Sequence, residues 1–148
     1  MIEPDLLIVV GADLRAELED RPLAYRLREV ALERLGPVDS SDGPDARVLV
    51  CTDLWHLNHA HLRARPTISL GGPDRNALTA FLGDRIPSVL AVEGAYVVQM
   101  DLELVQTQCC CWGQEGPGTE VAVQAFIERY MDRFLECVGQ GAGPARST

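Results

Sequence analysis

The 148-residue chain carries 13 basic and 22 acidic residues, a net charge of −9, with 47% apolar and only 5% aromatic content. That acidic balance argues against binding a phosphate backbone, which requires a basic surface to displace counterions, and the scarcity of aromatics leaves little to stack on bases. Every basic residue is arginine, which excludes a lysine Schiff base and a Walker-type phosphate loop.

No apolar run approaches the roughly 20 residues needed to cross a bilayer, so no membrane partner is expected. The start, Met1 to Asp5, lacks the basic segment of a secretory signal. A cytoplasmic location with five reduced cysteines follows. The length suits one domain, expected over residues 1–139, with a disordered tail over 140–148.

Leu6 to Val10 is a continuous apolar run closed by Gly11, the pattern of a strand buried on both faces. Leu23, Leu27, Val30, Ala31 and Leu35 then recur at helical spacing, with Asp20 as the expected cap and Gly36-Pro37 as the stop. Asp39 to Asp45 has loop composition. Arg47 to Asp53 predicts a second buried strand, and Leu54 to Arg63 a short helix. Pro66 to Asn76 reads as a third strand, a double-glycine turn and a helix start with Pro73 at the first helical position. Ala77, Leu78, Phe81 and Leu82 are expected to face inward. This alternation implies three parallel strands in a βαβαβα arrangement.

Ser88 to Val92 and Ala95 to Met100 are separated only by Glu93-Gly94, which permits only an antiparallel hairpin. Val105 to Trp112 extends it into a meander. Gln106 and Gln108 on one face suggest that this third run lies at an edge. Finally, Thr119 is expected to cap an amphipathic helix whose stripe is Val123, Phe126, Ile127, Tyr130, Phe134 and Val138, ended by Gly139. The fold class is therefore an α/β sandwich with a mixed sheet.

In parallel α/β sheets ligands bind outside the carboxyl ends of the strands. Asp13, Thr52, Asp53, Gly71, Gly72 and Asn76 fall at those ends, so they form the candidate ligand site. The first-turn amides after the double glycine carry partial positive charge and would seat an anion. A small polar or anionic molecule is the expected partner. The competing reading is that Asp13 and Asp53 merely cap the helices that follow.

Two alternatives stay open. A metal-assisted hydrolase would use Asp13, Asp53 and either His56 or His59, which are adjacent at i, i+3 on a helix, whereas His61 lies well round from them. No zinc-protease or zinc-finger spacing supports it. The other alternative is a non-catalytic module for self-association into a homo-oligomer or for docking a protein. Cys109-Cys110-Cys111 alternates across a strand and reads as core filling. No dinucleotide fingerprint or nucleophile elbow is present, and no cofactor is implied.

Overall fold

Five consecutive apolar residues with no exposed surface, Leu6–Val10, form strand β1, one strand in from the edge of a six-stranded sheet. The computed structural model describes residues 3–36, 47–105, 107–114 and 117–138. A π-helical turn, Ala16–Asp20, runs directly into helix α1, Arg21–Leu35. There follow β2 (Val48–Thr52), α2 (Asp53–Leu57), a 3₁₀ turn (Ala60–Leu62), β3 (Thr67–Leu70) and α3 (Ala77–Leu82). The chain continues through β4 (Ser88–Val92), β5 (Tyr96–Met100), β6 (Gln108–Gly113), α4 (Gly118–Arg129) and α5 (Met131–Leu135).

The strand order is β2-β1-β3-β6-β5-β4. β2, β1, β3 and β6 run parallel, and β5 is antiparallel to both β6 and β4. Alternating side chains divide between two helical layers. Leu6, Ile8, Val10, Ile68, Leu70, Cys109 and Cys111 pack with Leu27, Phe126 and Phe134 against α1, α4 and α5. Leu7, Val9 and Cys51 pack with Leu62 on the opposite face, where Cys110 meets Leu82 and Ile86. That second layer is thin, because α2 and α3 have only five and six residues. Among the described residues no helix is long and apolar enough to cross a membrane.

The mixed α/β class, the parallel β1, β2 and β3, and the β4–β5 hairpin agree with the sequence. The third run of the meander does not lie at an edge. β6 sits inside the sheet, paired with both β3 and β5, and its three cysteines have no exposed surface. The crossover through α3 carries β4 to the far edge, which leaves a slot beside β3 for the returning chain to fill. β4 is the edge strand, and its residues are exposed or half-buried.

Several local expectations are also corrected. Asp20 does not cap α1, because the helical backbone begins earlier; Asp13 takes that task, its Oδ1 accepting from the Ala16 amide at 2.8 Å. The helix expected over 54–63 is shorter and splits into α2 and the 3₁₀ turn. The C-terminal helix breaks at Tyr130 into α4 and α5. Thr119 caps nothing there; its hydroxyl accepts from the Gly113 amide at 3.1 Å and ties β6 to α4. Ala77 is exposed and Phe81 more than half exposed, rather than inward-facing. The expected loop over 39–45, Gln106, Gly139 and the tail over 140–148 lie outside the described residues.

Candidate functional site

The crossover after β1 leads to β2 on one side, and the crossover after β3 leads to β4 on the other. The gap between β1 and β3 is therefore the topological switch point, where a crevice is expected. Here it is plugged. Asn76 is fully buried, and its amide group donates to the carbonyls of Val9 at 3.1 Å and Leu70 at 2.8 Å, bridging the ends of both strands. Gly11 permits this closure, since a Cβ there would overlap the Arg75 carbonyl oxygen.

The predicted anion seat is likewise filled by the protein itself. Pro73 lies in the turn rather than in the helix, and α3 begins only after Asn76. Asn76 Oδ1 accepts from the amides of Leu78 at 2.9 Å and Thr79 at 3.3 Å. Asp53 Oδ2 accepts from the Ala77 amide at 2.8 Å, while its Oδ1 accepts from Leu54 at 2.8 Å. One carboxylate thus joins the first turns of α2 and α3, and Thr52 adds a cap on the Trp55 amide at 3.1 Å. Capping groups of this kind satisfy the orphan amides that would otherwise meet a ligand.

An open crevice of about 410 Å³ lies one strand further along, at the carboxyl ends of β3 and β6. Gly72, Gly113 and Thr119 line it, together with Arg15, Asp20 and Arg75. Asp20 is 1% exposed, and Arg75 Nη1 stands 3.2 Å from both of its carboxylate oxygens and 3.1 Å from Glu19. Burial raises the Asp20 carboxyl above the ordinary aspartate range, against the pull of the Arg75 guanidinium. Gly71 sits over this pair with φ +100°, a left-handed conformation that favours glycine, and a Cβ there would press on Asp20 Oδ2.

A second hollow, about 360 Å³, lies between α2 and α3 on the thin face. Leu54, Leu57, Leu78, Phe81 and Leu82 make it largely apolar, with His56, Asp53 and Arg63 also in its walls. The three histidines diverge. His56 is buried; His59 stacks on Trp55 at 3.7 Å and donates Nδ1–H to the Trp55 carbonyl at 2.7 Å; His61 is exposed, 3.9 Å from Glu3. Among the described residues, no three His, Cys, Asp or Glu side chains are grouped so as to hold a metal ion. The thiols are packing groups: burial pushes Cys51 up to about 12 and raises Cys109 and Cys110 as well, so each stays protonated.

The six sequence-derived site residues are therefore not gathered into one site. Gly72 lines the polar crevice, Asp53 lines the apolar hollow, and Gly71 lies behind the crevice against Asp20. Thr52 and Asn76 are caps, and Asp13, exposed, caps the turn at Ala16 near Asp20 without lining either hollow. Asp20, which the sequence offered only as a helix cap, and Arg75 and Arg15 were not among the expected site residues. Asp20 and Arg75 are separated by 55 positions, and no local spacing signals that pairing. Compared with known proteins, the chain matches no family model, no curated protein and no solved structure.

Proposed function

We propose that this protein binds a small polar molecule in the crevice at the carboxyl ends of β3 and β6. The observation that carries this reading is a cavity of about 410 Å³ lined by Gly72 and Gly113, with the buried Asp20 carboxylate held by a half-buried Arg75 in its wall. Its size lies within the range of small-molecule pockets. Glu19, Asp20, Asp74 and Glu120 outnumber Arg15 and Arg75. Such a mixture of acceptors and donors, with negative charge in excess, suits a neutral, hydroxyl-bearing ligand of the sugar or nucleoside class better than a free phosphate.

The test is a thermal-shift series with neutral monosaccharides, nucleosides and inorganic phosphate, run on the native protein and on Gly72→Leu. Gly72 is not in the left-handed region, and the nearest atoms to a Cβ there are the end of the Asp74 side chain at 3.0 Å, Trp112 at 3.5 Å and the Gly113 carbonyl oxygen at 3.9 Å. Leucine should therefore fold and occupy the crevice. A ligand at one hundred times its Kd stabilises by about 2.7 kcal/mol, which at this chain length raises Tm by about 5–10 °C. The expected outcome is a saturable rise for a neutral hydroxylic compound that disappears in Gly72→Leu. No response across the series, or a rise that survives the substitution, sinks the reading.

A further inference from the structure

Hydrogen-bond accounting separates one buried atom from the rest. Among the described residues, His56 Nε2 is the single buried side-chain nitrogen or oxygen without a partner. Its neighbours on the thin face are all matched. Ser69 Oγ and Thr79 Oγ1 share a hydrogen bond at 2.7 Å, Thr67 Oγ1 donates to the Arg65 carbonyl, and Gln99 Nε2 donates to the carbonyls of Gly83 and Ile86. An unmatched buried polar atom is a standing free-energy penalty in the free protein, and a bound molecule can relieve it.

We infer that the hollow between α2 and α3 is a second binding site, one that takes a small monocarboxylate with an apolar body, its carboxylate received by His56 Nε2–H and the Arg63 guanidinium. Three features select this class. The walls contributed by Leu54, Leu57, Leu78, Phe81 and Leu82 suit an aliphatic chain or a single ring. His56 sits close enough to Arg63 to feel its charge, and burial, Arg63 and His59 together hold the imidazole neutral, so it carries a single N–H to offer. Arg63 itself is exposed, and among the described residues it is engaged through Nη2, on the Leu57 carbonyl at 3.2 Å, with further donors in its fork.

The carboxylate already present, Asp53, does not take this role, because both of its oxygens accept backbone amides. Water does not reach His56 Nε2, so an entering molecule must part the wall. In that wall Leu57 and Phe81 are more than half exposed, and each belongs to a helix of at most six residues. Short, poorly buried elements open at little free-energy cost.

Hexanoate tests the inference, with hexanol as its neutral counterpart. The histidine ring resonances are followed by NMR; only three histidines exist, and His56→Phe identifies the ring in question. Hexanoate is expected to shift the His56 resonances saturably, to raise the His56 pKa through the adjacent negative charge, and to bind about tenfold more tightly than hexanol, a difference of one charge-assisted contact. Arg63→Gln, an exposed change that leaves the core alone, should erase that preference. Equal binding of hexanol and hexanoate overturns the carboxylate assignment. An absence of any shift at the His56 ring, or hexanoate binding that persists undiminished in His56→Phe, overturns the site.

Discussion

The two hollows flank the same sheet, yet their polar atoms are treated in opposite ways. In the crevice beside β6, the buried Asp20 carboxylate faces the Arg75 guanidinium through both oxygens, and Glu19 reinforces the cation. Beside the hollow between α2 and α3, a buried imidazole nitrogen has no hydrogen-bond partner among the described residues. Between them lies the plug, where Asn76 uses four hydrogen bonds to close the switch point of the sheet. The difference shows that polarity alone does not mark a site. Where every donor has its acceptor the polar groups are architecture, and the unmatched nitrogen of His56 is the one group on which the proposed second site rests.

The plug is the most exacting test of that distinction. Asn76→Ala leaves the buried carbonyls of Val9 and Leu70 without these donors, at about 1–3 kcal/mol each, and removes the cap of α3, worth about 1 kcal/mol. A loss of about 3–7 kcal/mol is expected from urea denaturation. A loss below about 1 kcal/mol would mean that Asn76 decorates the switch point rather than closing it.

Opposite signs are expected for the two hollows. Asp20→Asn removes the charge that compensates Arg75 and should destabilise by about 2–3 kcal/mol, less than the usual penalty for breaking a buried pair because Glu19 remains. His56→Phe removes an unsatisfied group and should stabilise by about 1 kcal/mol. If both changes destabilise equally, as read from the two urea midpoints, the contrast between the hollows fails.

The smallest effects lie in the pH dependence. His56 has a folded-state pKa below 6.5, so the unfolded chain binds more protons in that interval, and stability falls as pH drops from 6.5 toward the lowered value. Asp20 has a folded-state pKa above 3.8, so the folded chain binds more protons, and stability falls as pH rises from 3.8 toward the raised value. The first slope should vanish in His56→Phe and the second in Asp20→Asn when urea midpoints are compared across pH.

Much of the architecture could be read from residue order. The apolar runs of β1 and β2, the Glu93-Gly94 hairpin and the stripe on α4 all report their environment through period and neighbours, which are local properties. The placement of β6 could not be read in this way. Cys109 to Cys111 has an apolar character that suits any buried strand, and only the vacancy created by the α3 crossover determines that it lies between β3 and β5. The candidate site was legible only in outline. Gly71 and Gly72 do mark a rim, but Asp53 and Asn76 carry the same side chains whether they meet a ligand or a backbone amide.

The amino-acid sequence by itself determined the class of the molecule: an acidic α/β protein with a parallel half, an antiparallel hairpin and a glycine bend after its third strand. Periodicity and turn chemistry act over a few residues, and they suffice for that much. Tertiary structure alone decided which polar groups were consumed by the fold. Asp20 finds Arg75 across 55 positions, Asn76 reaches Val9 across 67, and His56 Nε2 finds no hydrogen-bond partner among the described residues. A hydrogen bond depends on distance in space, and the chain does not encode that distance until it has closed on itself.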